Sequence, residues 1–481
     1  MTTPIITSKN FDIDAEFAKF MNGMGLSVGD TGGKIVFLGS DPIIPSRFRI
    51  GACIAIPMMG AAAGAATIWA MRTGRGQDLT LDLRKAIHGV NPIYRFKPTI
   101  NGVPYQMPYA VNNHMLFDLY LTKDGRWVLP TGGYPHMLAA WCSLLRCSPD
   151  KLSIANAVLK WNGEDLDEVS AEKNMIFALC RSRAEWERHP QGEFLSTRPL
   201  VEIEKIADSD PMPFGPAERP LSGVRVLSAT HVIAGNVISR TLAEQGAEVL
   251  HLSPPQEFEH EALVTDACVG HRSAWLDLKS PEGNRRGHAL AAGADVFVDS
   301  YRGRCLSNLG FSPQELAERR PGIIYASVRG YGYDGPWANR GGFDMEALCV
   351  SGYTFEEGTP DHPRFPPTMV LNDFIAGYLG AAGVTAALIR RAREGGSYHV
   401  KISLTRNAMW YSTLGKFERS DLDVQGEENQ LLAPETITRQ TPYGELHRLA
   451  PPVQFSETPG DWKDVVLSVR GSCRPEWLPH D

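Results

Sequence analysis

Val224-Arg225-Val226-Leu227-Ser228-Ala229-Thr230-His231 is an apolar run closing on small and polar residues, the mark of a buried strand that ends at a turn. Outward from it, residues 234–246 have helical composition. Ala247-Glu248-Val249-Leu250-His251-Leu252 and Ala274-Trp275-Leu276-Asp277-Leu278 read as a second and a third strand. Ser280-Pro281-Glu282 then supplies an N-cap, a proline at the first helical position and an acid in the first turn. Asp295-Val296-Phe297-Val298-Asp299 is the next strand, Ser312-Pro313-Gln314-Glu315 caps another helix, and Gly322-Ile323-Ile324-Tyr325-Ala326-Ser327 closes the series. Strands separated by helices require right-handed crossovers and a parallel sheet. The expected class is therefore α/β, a Rossmann-like parallel sheet domain with a smaller α+β domain. The turn after the first strand, running through Gly235, lacks the G-x-G-x-x-G spacing that lets backbone approach a pyrophosphate, which argues against an NAD-dependent oxidoreductase.

At 481 residues the chain exceeds what one core usually organises. Its 43% hydrophobic and 21% charged residues are those of a folded globular protein. A net charge of -7 gives no general attraction for nucleic acid or an anionic membrane, so neither is expected as a partner. The 8 cysteines are scattered without a C-x-x-C pair and no secretion signal precedes them, so the expected compartment is the reducing cytoplasm. Residues 50–70 are long and apolar enough to span a bilayer, but small residues at helical spacing favour a closely packed internal helix.

Pro211-Met212-Pro213-Phe214-Gly215-Pro216-Ala217-Glu218-Arg219-Pro220 reads as a linker. Upstream, a hairpin is expected to turn at Asp124-Gly125, with helices at 136–145 and 171–187. The tail, including Gln440-Thr441-Pro442-Tyr443-Gly444 and Pro451-Pro452-Val453, is expected to return short strands to the main sheet. There is also a weak internal repeat. Setting Ile54-Ala55 on Ile375-Ala376 brings Ala65-Ala66 onto Ala386-Ala387 and Gly74 onto Gly395. Asp373 then falls opposite Ala52.

Asp373 follows the apolar, strand-like run Thr368-Met369-Val370-Leu371-Asn372 and opens a helix. Free N–H groups and the positive helix end at such a position are expected to keep a carboxylate ionised, as a nucleophile toward an acyl group needs. Local spacing alone fits an ordinary N-cap aspartate better.

Motifs around Asp373 go further. Pro220-Leu221-Ser222-Gly223-Val224-Arg225-Val226-Leu227, Leu276-Asp277-Leu278-Lys279-Ser280-Pro281-Glu282-Gly283, Ser327-Val328-Arg329-Gly330-Tyr331-Gly332, Gly342-Phe343-Asp344 and Asn372-Asp373-Phe374-Ile375-Ala376-Gly377 occur in an order and spacing that resembles the family III coenzyme A transferases over about 220–405. That group takes in formyl-CoA transferase, crotonobetainyl-CoA transferase and α-methylacyl-CoA racemase. The resemblance implies an enzyme that moves CoA between carboxylic acids through a covalent aspartyl intermediate at Asp373. CoA or acyl-CoA would be the substrate, with no metal. It implies CoA contacts from His231 and Ala234 at the first strand-to-helix turn, from Arg272, Leu276 and Lys279 near the nucleotide, and from Ser300, Tyr301 and Arg329 at strand ends. Asp344 matches an acidic position near the family's active site and equally fits a cap for the helix that follows it. An intertwined homodimer is implied as well.

The family usually places its sheet domain first and inserts the small domain. Here residues 1–90 resemble a partial duplicate of the catalytic helix and strand, 91–210 the small α+β domain, 211–220 a linker, 221–420 the CoA-binding catalytic domain and 421–481 a closing segment, as in a partial circular permutation. Ile233, Ser253, Pro254 and Asn308 depart from the family pattern and bear on phosphate contacts and acyl specificity. Phe343 stands where the racemase branch carries histidine, which weakens racemisation. The alternatives are an acyl-CoA isomerase or lyase using Asp373 as a base, and a catalytically silent CoA-binding subunit.

Overall fold

The computed structural model describes residues 11–479 except 106, 108, 111, 424, 425, 463 and 464. Seven strands form the main sheet: β1 (Glu202–Ala207), β2 (Arg225–Ala229), β3 (Glu248–Ser253), β4 (His271–Trp275), β5 (Val296–Asp299), β6 (Ile324–Arg329) and β7 (Ser397–Ser403). Their order in space is β4-β3-β2-β5-β6-β7-β1, parallel throughout except for β1, which runs antiparallel to β7 at the edge. The six parallel strands have the doubly wound order. Strand order reverses between β2 and β5, and a crevice opens at their carboxyl ends, the usual ligand position in an open α/β sheet.

Four helices set the frame of that crevice: α1 (Ile50–Thr73), α2 (Ala234–Glu244), α3 (Asp344–Val350) and α4 (Asn372–Glu394). Helix α4 packs against α1 on one side and α2 on another. Both α1 and α4 are long and apolar enough to cross a bilayer, yet the apolar window of α1 is wholly buried and that of α4 is 94% buried inside the protein. Small residues allow the close approach. A Cβ at Gly377 would lie 2.4 Å from the Val237 side chain, and one at Gly64 would lie 2.0 Å from the Thr385 hydroxyl. Gly64→Leu is therefore expected to lower stability by about 2 kcal/mol or more through overpacking, read as a lower denaturant midpoint at unchanged slope.

The two halves of the internal repeat become α1 and α4, each leading into a strand, Leu79–Asp82 and β7. Leu79–Asp82 pairs with Ile35–Leu38 and Gln454–Phe455 in a separate sheet.

Several expectations need correction. The third strand is His271–Trp275, not 274–278: β3 pairs with it from Val249↔His271 to Ser253↔Trp275, and Asp277 already accepts the turn bond from Ser280 N–H. Its buried polar His271 and Ser273 hide the strand from an apolar reading. The helix expected over 171–187 is broken. Helix Gly163–Glu172 is followed by the buried strand Phe177–Leu179, which pairs with Trp127–Pro130, and the Ser182–Glu185 capping box starts a new helix. Tertiary pairing outweighs local propensity here. The run Thr368–Asn372 makes no strand; Val370 N–H bonds back to the Thr368 carbonyl, and Met369 takes φ 65°. The tail hairpin Thr436–Thr441 and Gly444–Leu449 joins Thr99–Ile100 in its own sheet and not the main one. The tail meets the main sheet at its β4 edge, through the bridge of Ala274 to Ser472 and the bond from Cys473 N–H to the Ser273 carbonyl.

Candidate active site

Helix α4 delivers Asp373 to the mouth of the crevice, and the residue before it fixes the delivery. Asn372 is buried, donates from Nδ2 to the Leu404 carbonyl at 2.8 Å and accepts from the Tyr411 hydroxyl at 2.7 Å. Asp373 is the second residue of the helix and does not cap it. The cap comes from another helix. Asp344, the first residue of α3, accepts on Oδ2 the N–H groups of Leu371 (3.1 Å), Asn372 (2.5 Å) and Asp373 (2.8 Å). Thus Asp344 caps α4, not the helix that it begins.

This overturns the expectation that the helix end keeps Asp373 ionised. The N–H groups that would have done so are taken by Asp344. Burial, and the nearby carboxylates of Asp344 and Glu346, instead raise the Asp373 carboxyl well above the ordinary range. Burial also pushes Asp344 up to about 7, against the three N–H bonds that favour its charge. Asp344 Oδ1 is buried and has no hydrogen-bond partner among the described residues. The two aspartates titrate as a pair, and the N–H bonds make Asp344 the better seat for the charge and Asp373 for the proton.

The other half of the repeat has the same cap. Asp41 accepts from Gly51 N–H at 2.9 Å and Ala52 N–H at 2.8 Å at the start of α1, the places matching Asn372 and Asp373. The cap is present in both copies; the carboxylate on the second residue of the helix is in one, Asp373 against Ala52.

A cavity of about 690 Å³ occupies the crevice, within the range of small-molecule and cofactor sites. His231, Ala234, Ser300, Tyr301, Arg329 and Asp373 all line it. The Ser300 hydroxyl ties the switch point together, accepting from His231 N–H at 3.1 Å and donating to the His231 carbonyl at 3.2 Å. Tyr301 donates to Glu257, and its ring lies 4.9 Å from that of His231. Burial and the neighbouring His251 lower His231 to about 4, so its imidazole is neutral. Arg329 is anchored by Asp299 at 2.6 Å.

Arg272, Leu276 and Lys279 lie outside the cavity lining. Arg272 is held by Glu248 and the Glu476 carbonyl, and Leu276 packs against the core between β4 and β5. Other lining residues had no local signal. Lys173, Arg302 and Arg340 add cationic side chains, and Tyr134 brings a buried hydroxyl that has no partner among the described residues. Tyr134 clusters with Phe258, His260 and Phe343, at ring distances of 5.8, 5.2 and 6.2 Å. Val232, a β-branched residue, holds φ 55° beside His231, a conformation that costs on the order of 1–3 kcal/mol and gathers at functional sites. His231, Glu257 and Glu259 place a ligand atom each within 4.8 Å, a grouping invisible to spacing along the chain. Burial, then Glu257, raise Glu259 to about 8, so it is neutral at physiological pH.

A cavity at the switch point with cationic side chains and a carboxyl of raised pKa in its walls suits covalent chemistry on an acyl group carried by a phosphorylated ligand. Residues 221–419 match the model of CoA-transferase family III. An acetyl-coenzyme A transferase of Hypoxylon pulicicidum is 28% identical over 63% of this chain and 55% of its own length. The succinyl-CoA:glutarate CoA-transferase of Mus musculus is 30% identical over 48% of this chain and 54% of its own. A solved CAIB/BAIF family protein from Brucella suis is 27% identical, over 41% of this chain and 56% of that one, with a TM-score of 0.38. The chain spans about half the length of the curated relatives it matches. Over residues 221–419, the chain is thus similar to CoA-transferase family III.

Proposed function

We propose that the protein transfers CoA between carboxylic acids, with Asp373 as covalent nucleophile. The observation that carries this is the placement of Asp373 in the wall of the switch-point cavity, presented by a helix whose N–H groups another residue caps. A carboxylate oxygen of Asp373 attacks the thioester carbonyl, the C–S bond breaks and CoA leaves as thiolate, giving a mixed anhydride. The thiolate attacks the Asp373 acyl carbon, releasing the first acid as carboxylate and leaving an aspartyl-CoA thioester. An acceptor carboxylate attacks that thioester and the two steps run in reverse. Each step exchanges one acyl bond for another, so no oxidant or hydride carrier is needed. The cationic Lys173, Arg302, Arg329 and Arg340 suit the phosphates of CoA, although Arg329 and Arg340 also pair with Asp299 and Asp167.

In this proposal residues 1–90 are a degenerate copy of the catalytic helix, supported by the Asp41 cap and the alanine at 52. Cytoplasmic location, which the eight free cysteines suit, and an intertwined homodimer belong to it too.

The test is a mixture of an acyl-CoA, a second carboxylic acid and purified protein, followed by mass spectrometry of the thioesters. The new acyl-CoA is expected to appear with ping-pong kinetics. Release of free CoA by hydrolysis alone, or isomerised acyl-CoA, would contradict it. Nucleophilic attack requires ionised Asp373, and its pKa is raised. Activity is therefore lost as pH falls, and the acid limb of kcat/KM is expected well above the ordinary aspartate value of about 4. A pH–rate profile on one acyl-CoA measures it.

A further inference from the structure

Asp373 borders two chambers, the switch-point cavity and a second one. The second, of about 400 Å³, lies between α3, the loop before α4 and the segment 91–117. Tyr134, Val232, Ile233, Phe343 and Asp373 line both and form the neck between them. A thioester whose carbonyl lay at Asp373 would have its CoA in one chamber and its acyl group in the other.

The chambers differ in charge. The switch-point cavity has Lys173, Arg302, Arg329 and Arg340 in its walls. The second is walled by apolar side chains, among them Ile93, Leu116, Leu263, Met345 and Val370, and among the described residues no Lys or Arg lines it. Among the described residues its carboxyl groups are Asp344, Glu346 and Asp373, and its histidine is His260, which burial holds toward the neutral form. Glu346 is buried, accepting from Phe343 N–H at 2.7 Å and from the Thr131 hydroxyl. A dicarboxylic acyl group placed here would bring its free carboxylate among the buried acids Asp344 and Glu346, with no cation from the described residues to pair it. An apolar acyl group meets matching walls.

We propose that the second chamber is the acyl pocket and that it selects uncharged apolar acyl groups, aliphatic or aromatic, against dicarboxylic ones. This rests on the CoA-transfer reading, and the test separates the two. Isotope exchange between each acyl-CoA and its own 13C-labelled acid, catalysed by the full chain, is measured for acetyl, octanoyl, phenylacetyl, succinyl and glutaryl groups. Octanoyl and phenylacetyl are expected to exchange roughly 100-fold faster than succinyl and glutaryl, the scale of an unpaired buried polar group in a binding site. Equal or faster exchange of the dicarboxylic groups overturns the proposal.

Leu116→Trp fills the chamber and is expected to lower the octanoyl-to-acetyl exchange ratio at least roughly tenfold. An unchanged ratio places the acyl group elsewhere. Should no acyl group exchange, CoA transfer fails, and calorimetric titration with octanoyl-CoA against succinyl-CoA still decides the pocket. Tighter binding of octanoyl-CoA supports it; equal or tighter binding of succinyl-CoA sinks it.

Discussion

Asp373→Ala is expected to reduce CoA exchange on the order of 10^4-fold or more while leaving the fold intact, the scale on which removing a covalent nucleophile acts. Folding should survive because the side chain of Asp373 serves no structural purpose: it does not cap α4, and it sits at the wall of two cavities. Removing it also removes one of three crowded carboxylates, which relieves repulsion on Asp344 and Glu346. The matching position of the first repeat already carries alanine at the start of a buried helix. Circular dichroism and a denaturation curve verify the fold beside the exchange assay. Residual exchange within tenfold of the parent protein would mean that Asp373 is no nucleophile.

Asp344 should separate into two effects, because it both accepts hydrogen bonds and carries charge. Asp344→Ala leaves the N–H groups of Leu371, Asn372 and Asp373 without their acceptor at a buried helix end. The expected loss of stability is about 2 kcal/mol or more, beyond an ordinary exposed cap, and is read from the unfolding midpoint. Asp344→Asn keeps an oxygen acceptor and removes the like charge. The Asp373 carboxyl should then ionise more readily, and the acid limb of kcat/KM should move to lower pH by about one unit or more. A limb that stays in place would show that Asp344 does not hold the Asp373 proton.

Much of the sheet was legible because alternation of strand and helix is a short-range signal. The runs near 225, 249, 296 and 324 carry their apolar residues contiguously, as strands buried on both faces do. Strand β4 lies three residues before its apolar run because His271 and Ser273 are buried polar groups that periodicity cannot distinguish from a turn. The loop through Met369 reads as a strand for the opposite reason: its apolar side chains line a chamber, not a sheet.

Motif and fold coincide at His231, Ser300, Tyr301 and Arg329, set at or near strand ends by the crossovers, and at Asp373 at the start of α4, and all five line one cavity. It was not legible where distant segments meet. Tyr134, His260 and Phe343 come together across more than two hundred residues of chain. The cap by Asp344 is a contact between two helices twenty-nine residues apart in sequence. Local spacing could assign Asp344 only to the helix it begins, and Asp373 only to the cap it does not make.

The central claim is that Asp373 becomes covalently bonded during turnover. Incubating the full chain with octanoyl-CoA, quenching in acid and mapping peptides by mass spectrometry should find CoA joined as a thioester to the peptide bearing Asp373. The adduct should disappear when a carboxylic acid acceptor is added before the quench. Exchange at the full rate with Asp373 unmodified at every time point, or an adduct on a different residue, would contradict it.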